Sequence, residues 1–520
     1  MRLPFPEHIP LRYAIYFATL LCIAQLLQGT DPSFSLCCFL FILVATLAFN
    51  LAGGFTRPSG GYVFFYAVLA VILGLFWKAF LGEPADSNLT RPLLTMQTEL
   101  GGITAMFGAV FISRKLTFKR PILGNLLTEA NMKSAATGCL IAGLSLTAVL
   151  MLVPRQGGSI LSALSQLNQF LPLAIILGTI YQIRSSGGAS TMNLTVLGAG
   201  GVSLFLGVLS FSKQGMFTPI LCWLIAAASQ RYKTSLYKVI GFTLAIAFMV
   251  YYLVPYSQYG RNFMVSSVTV NGSGVRADSM ADALVQNLKV SVSLLSDLGY
   301  VREQFEHSTK AEHGEGPAYF DTPQGLFDRL QMLSMDDALI NETEQNGRFG
   351  FSPIIMAFEG VVPHFLWPEK PTVRIGNIYA HEIGVLADDD TVTGISFSPI
   401  GEAFHIGRWT GIFLVAPLLW IILFVIFDSL CGDVRKHPWG LLALVLFSHA
   451  APEQLLSFVV YLFWYGAGGI VFVALTASYV MPILGSIFTS SRRTGLRRNV
   501  PIRSIPRHLP PVRPSQNSNQ

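Results

Sequence analysis

The chain has 520 residues, of which 52% are hydrophobic and only 12% charged, with a mean hydropathy of +0.52 and a formal net charge of +6. Ordinary globular domains carry roughly 25% charged residues, so this composition excludes a soluble enzyme or binding module and points to an integral membrane protein. The charge is also partitioned, because 20 of the 29 acidic residues fall between Tyr256 and Arg408.

Apolar runs of about 17 to 25 residues can cross a ~30 Å hydrocarbon layer as helices, which satisfy their own backbone where no water is available. Such runs lie near 12–28, 34–51, 62–81, 97–113, 134–153, 170–184, 192–210, 216–230, 236–255, 409–428, 439–460 and 467–488. The expected fold class is therefore all-α: a polytopic membrane protein with about 12 transmembrane helices and one large helical external loop. Residues 1–255 hold the first nine spans, 256–408 the loop domain, 409–490 the last three spans and 491–520 a basic tail.

Orientation follows from Lys and Arg in the short loops. An internal N-terminus places Arg57, the cluster from Arg114 to Lys133, Arg184, Arg231 with Lys233, and Arg435 with Lys436 in the cytoplasm. The C-terminal tail, rich in Arg and Pro, joins them there as a disordered anchor for anionic lipid rather than for nucleic acid. The 256–408 loop then faces outward, with the short loop around Lys213 on the same side. All six cysteines lie in or beside the helices, so no disulfide is expected in the loop.

Within the loop, NGSGVRADS (271–279) reads as a flexible connector, followed by a helix with Ala281, Leu284, Leu288, Val292, Leu295 and Leu298 on one face. A second helix is expected from Thr322, with Pro323 at its first position and Leu326, Leu330 and Leu333 on its apolar face. The polar segment 306–316 between them reads as a mobile loop. The apolar stretch from Phe351 to Trp367 is short for a span and contains Glu359 and Pro363, which favours a re-entrant or interfacial helix.

Cations on the outer side run against the positive-inside bias and so need a reason. Arg261, Arg329, Arg348, Lys370, Arg408 and Lys213 are the candidates; guanidinium forks match phosphate oxygens, and Arg261, Arg408 and Lys213 border helix ends where a lipid-linked phosphate can reach. Glu402, at the mouth of the tenth span, leads the possible general bases, ahead of His405, Glu359 and His364. The bland reading of Glu402 is a helix-entry carboxylate paired with Arg408. His449 and Glu453 flank Pro452 in the eleventh run, where Pro452 is expected to break the helix. No Walker loop, HExxH or Cys/His cluster occurs in the sequence, and no metal or cofactor is expected.

Two motifs carry a resemblance. Pro363-x-x-Leu366-Trp367-Pro368-x-Lys370-Pro371 is followed about 30 residues later by Ser398-x-x-Gly401-Glu402-x-x-x-x-Gly407 at a membrane helix. This pattern, with many spans and one large late loop, resembles the bacterial O-antigen polymerases and related oligosaccharide repeat-unit polymerases, and the related O-antigen ligases. The motifs cover about 50 of the 520 residues. The resemblance implies a glycosyltransferase of the inner membrane, with both termini cytoplasmic and the large loop periplasmic, joining undecaprenyl-diphosphate-linked oligosaccharides into O-antigen or exopolysaccharide. It also implies a flippase and a chain-length regulator as partner proteins, and essential periplasmic arginines, some in an Arg-x10-Gly pattern that Arg261 with Gly272 and Arg91 with Gly102 match. The alternatives are a ligase with the same donor, or a transporter of polysaccharide or lipid-linked sugar. A transporter predicts inverted repeats and midplane charges, whereas here the charges collect in the external loop.

Overall fold

Apolar sequence becomes helix throughout this computed structural model, which describes residues 1–152, 168–270, 280–312, 317–363, 366–367, 369–370, 374–391 and 393–489. No β-strand occurs among the described residues. The first helices are α1 (Leu11–Leu27), α2 (Pro32–Ala52), α3 (Pro58–Leu81), α4 (Pro92–Leu116) and α5 (Glu129–Leu152). Then come α6 (Phe170–Ser185), α7 (Leu194–Leu209), α8 (Lys213–Ser229) and α9 (236–270). Proline recurs at the first helical position, where its missing N–H costs nothing; at α2, Asp31 adds a cap, accepting from the N–H of Ser33 at 2.8 Å and of Phe34 at 3.0 Å.

The inserted region forms α10 (Met280–Ser296), α11 (Leu298–Glu312), α12 (Leu333–Asn346), α13 (Ser352–Val361), α14 (Ile375–Glu382) and α15 (Pro399–Gly407). The chain closes with α16 (Gly411–Cys431), α17 (Trp439–Glu453), α18 (Phe458–Tyr479) and α19 (Met481–Thr489). Among the described residues six helices, α2, α3, α5, α9 up to Asn262, α16 and α18, are long and apolar enough to cross a membrane. This suits a membrane-embedded helical protein. The other apolar runs are helical as well, but shorter or more polar; α4, for example, carries Glu99 in its interior.

Four expectations require correction. The ninth helix does not stop at 255 but continues to Val270, so Arg261 lies on a helix rather than after one. Residues 306–312 extend α11 instead of forming a loop. No helix starts at Thr322; a single 3-10 turn, Phe327–Arg329, precedes α12, because the backbone there is held by side chains, with Asp328 accepting from the Gln324 N–H at 2.7 Å. The last two apolar runs are redivided: α17 ends at Glu453 just after Pro452, α18 runs from Phe458, and α19 is separate. The expected connector at 271–279 and the basic tail lie outside the described residues.

Small residues set the closest helix approach. A Cβ at Gly485 of α19 would meet the Ser134 carbonyl oxygen at 1.9 Å, and one at Gly138 of α5 would meet that of Met481 at 2.1 Å, so backbone packs on backbone. The insert is docked on the bundle by mixed contacts. Phe327 stacks on Trp77 of α3 at 3.8 Å between centroids, and Lys78 donates to the Tyr319 carbonyl at 2.6 Å. A satellite core of Leu339, Tyr379 and Phe397 ties α12 and α14 to the irregular segment entering α15.

Candidate functional site

The turn between α7 and α8 is shaped by one left-handed residue, Phe211, with φ of 49°. Its carbonyl is the anchor for α9: it accepts from Ser257 Oγ at 2.7 Å and from Arg261 Nη2 at 3.1 Å, while Tyr256 Oη donates to the Val208 carbonyl at 3.2 Å. These bonds bring Arg261 beside Lys213, the first residue of α8. Arg329, from the 3-10 turn of the insert, and Glu453, at the end of α17, supply the other charges that act on Lys213.

Four separate elements thus converge on one ammonium. The Lys213 Nζ is buried and makes no hydrogen bond among the described residues. Charging a buried amine without a partner is costly, because three donors lose their water, and the two neighbouring guanidiniums add repulsion, so Lys213 is lowered from its ordinary 10.5 to about 6 and is largely neutral near pH 7 until an anion joins it. Glu453 offsets part of this; its Oε2 also lies 3.5 Å from Nδ1 of His449. Chemically, the cluster fits a multiply charged anion. Three of the cations singled out in the sequence, Lys213, Arg261 and Arg329, meet here, although Arg329 lies 116 positions from Lys213.

The remaining candidates are elsewhere. Arg348 is exposed in the turn after α12, with no ion-pair partner among the described residues. Lys370 donates to the carbonyls of Gly360 at 2.8 Å and Val362 at 2.7 Å, and so caps the end of α13. Arg408 pairs with Glu344, not with Glu402. Glu359 is half-buried on α13, a helix of 10 residues, too short to cross a membrane. His364 and Gly272 lie outside the described residues. Arg91 donates from Nε to Asn341 at 2.9 Å, and Gly102 lies against Ile400, so the Arg91–Gly102 pair marks the docking of α12 and α15 on α4.

Glu402 is wholly buried. Oε2 accepts from the Ser457 N–H at 2.7 Å, and Oε1 from Ser457 Oγ at 3.0 Å and Tyr379 Oη at 3.1 Å. Burial outweighs these three bonds and pushes the carboxyl up to about 7. This carboxyl stitches the break between α17 and α18 to α14 and α15. His405 is 2% exposed and sits between Thr343, with Nδ1 2.8 Å from Oγ1, and Glu382, with Nε2 3.1 Å from Oε2. Burial lowers its imidazole to about 4, so the ring is neutral near pH 7.

A second polar cluster was not among the sequence expectations. Glu99 of α4 accepts from Tyr66 Oη and is hydrogen-bonded to Asp336 of α12. Asp336 Oδ1 in turn accepts from the Ser398 N–H at 3.1 Å. Asp337 caps α4 from outside, accepting from the N–H groups of Thr90 at 2.6 Å and Arg91 at 2.9 Å and from Thr95 Oγ1 at 2.8 Å. Only the Glu99 signal, an acid inside an apolar run, is visible in the sequence; its partner lies 237 positions away. Among the described residues no group of three or more His, Cys, Asp or Glu side chains is arranged to hold a metal ion.

No protein-family model, curated protein or solved structure matches this chain.

Proposed function

We propose that the protein is a membrane glycosyltransferase that polymerises oligosaccharide repeat units carried on undecaprenyl diphosphate, at the outer face of a bacterial inner membrane. The observation that carries this reading is the convergence of Lys213, Arg261 and Arg329 where the insert meets the membrane helices. A lipid diphosphate brings the charge that these cations accommodate, and its lipid tail suits a site built from the ends of α8, α9 and α17.

In this reaction the acceptor hydroxyl oxygen bonds to the anomeric carbon of the donor. The bond from that carbon to the diphosphate oxygen breaks, and the electron pair leaves with the diphosphate. The three cations stabilise the charge that develops there; a single preorganised electrostatic donor of this kind typically contributes about 3 kcal/mol. Glu453, the carboxylate among the cations, takes the acceptor's proton in this reading, since Glu402 is enclosed with both oxygens engaged.

The test is deletion of the gene in its host, followed by electrophoresis of the extracted surface polysaccharide and lipopolysaccharide. Single-unit chains in place of a ladder are the expected result. Full-length chains retained on undecaprenyl diphosphate would instead identify a ligase, and an unchanged pattern would overturn the reading.

A further inference from the structure

We propose that a cavity of about 440 Å³, walled by α12, α14 and the loop from α3 to α4, is a glycan subsite that holds neutral, hydroxyl-rich sugar units apart from the cationic cluster. The inference rests on the polymerase reading for the source of the glycan, and it goes beyond it by assigning the part of the substrate that carries no phosphate.

The lining decides the class of ligand. Asn88, Asn341, Gln345, Asp337, Glu342 and Glu382 present polar groups beside the apolar Ile383, and no Lys or Arg among the described residues lines the cavity. Phosphate is therefore disfavoured, since the three carboxylates, Asp337, Glu342 and Glu382, would repel it. The hydrogen-bond inventory matches a polyol. Asn341 Oδ1 is used by Arg91 and Gln345, which leaves its two amide protons. Asn88 spends its amide protons on Asp321 and Tyr319 and keeps its oxygen. Glu342 uses Oε1 for Asn346, and Glu382 uses Oε2 for His405, which leaves one acceptor oxygen on each. Sugar hydroxyls donate and accept at short intervals, and this alternation of spare acceptors and donors suits them.

The Glu382 acceptor is also fixed in place. Its Oε2 lies 3.1 Å from His405 Nε2, and the other ring nitrogen, Nδ1, is 2.8 Å from Thr343 Oγ1, whose own proton goes to the Leu339 carbonyl at 2.7 Å. The volume lies within the ~300–1,000 Å³ range of small-molecule sites and has room for roughly two sugar rings. The two sites share one segment of chain: the turn before α12 supplies Arg329 to the cations, and α12 supplies Asn341, Glu342 and Gln345 to the cavity. A lipid-linked glycan bound at the cations thus meets, on the same segment, a surface suited to its sugars.

The experiment uses the full chain in lipid nanodiscs and two probes. One is the host's surface polysaccharide, released from its lipid by mild acid and sized to a few repeat units, with binding read by saturation-transfer NMR. The other is inorganic pyrophosphate, read by thermal shift. Wild type is expected to bind the glycan, with or without chelator. Val385→Trp, which fills the cavity, and Gln345→Ala, which only trims an exposed side chain, should each weaken glycan binding at least tenfold while keeping the pyrophosphate shift. Lys213→Ala should lose the pyrophosphate shift and keep the glycan. Absence of glycan binding by wild type, equal binding by the cavity variants, or loss of binding with chelator would overturn the proposal. Gene deletion separates the two failures: truncated chains in the cell without glycan binding in vitro remove the subsite alone, whereas an unchanged cell-surface pattern removes the polymerase reading.

Discussion

Glu99 and Asp336 are hydrogen-bonded to each other in the interior, at 1% and 0% exposure, where α12 of the insert crosses α4 of the bundle. Two carboxyl groups can make that bond only if one carries a proton. Asp336 Oδ2 is buried and meets no N–H or hydroxyl donor among the described residues. Burial pushes Asp336 from its ordinary 3.8 up to about 6, against the opposing bonds from Ser398.

This pair predicts a direction for pH. An acid whose folded value is raised binds its proton more tightly when folded, so its contribution to stability is complete below pH 3.8 and is lost as pH rises through about 6. Thermal unfolding in detergent should show that decline. Asp336→Asn keeps an oxygen for the Ser398 N–H and gives Glu99 a permanent donor, so its unfolding temperature should vary less across the same window. A wild-type profile that is flat from pH 4 to pH 7 would remove the shared proton.

Gly401 is the space in which Asp336 sits. A Cβ on that glycine would lie 2.1 Å from Asp336 Oδ1 and 2.7 Å from its Cγ, and the carboxylate cannot retreat because Ser398 and Glu99 hold it. Gly401→Ala should therefore destabilise by about 1–3 kcal/mol, the usual cost of overpacking. Limited proteolysis should show the insert loosening before the bundle does. In the sequence this glycine belongs to the motif that carried the family resemblance, and the packing gives a physical reason for it.

Glu402 makes a separate prediction about the break after Pro452. Glu402→Gln can keep its oxygen on the Ser457 N–H only by turning its NH2 toward Ser457 Oγ and Tyr379 Oη, which must both rotate from donor to acceptor; the loss of these two charge-assisted bonds should cost about 1–3 kcal/mol. Its raised value of about 7, against an ordinary 4.5, adds a second loss of stability as pH rises through that interval in wild type, which the Gln variant should lack. Ser457→Ala should reproduce part of the destabilisation. If Glu402→Gln melts like wild type yet loses all turnover, the carboxyl is catalytic after all.

The bundle was legible in the sequence because apolar length alone determines where helices form, and each of the twelve runs falls on one or two helices. The boundaries that failed, at 255 and at Thr322, depend on tertiary contacts: Arg261 and Ser257 reach the Phe211 carbonyl and hold the ninth helix in register, while Asp328 holds a turn where Pro323 suggested a helix start. The cations were legible as exceptions to the positive-inside rule, but their meeting point was not. Lys213 comes from a short turn and Arg329 from the insert, and nothing local couples them. Glu382 carried no signal at all, since its partner His405 lies 23 residues on, across an irregular segment.

The cation cluster is the most direct test of function. Lys213→Ala, Arg261→Ala and Arg329→Ala should each lower turnover of purified protein by about 10² to 10³-fold, the typical effect of removing one electrostatic donor, with unchanged amounts in the membrane. Arg261→Lys should recover only part, since the fork to the Phe211 carbonyl is lost. Glu453→Gln should lower turnover while leaving the pyrophosphate thermal shift in place, which separates proton transfer from anion binding. Arg348→Ala, remote from the charges that act on Lys213, is expected to cost less than tenfold. Chelator should leave wild-type turnover unchanged, because the cluster supplies the positive charge from its own side chains. Metal-dependent turnover, or a deeper loss at Arg348 than at all three clustered cations, would show that the leaving group is stabilised somewhere else.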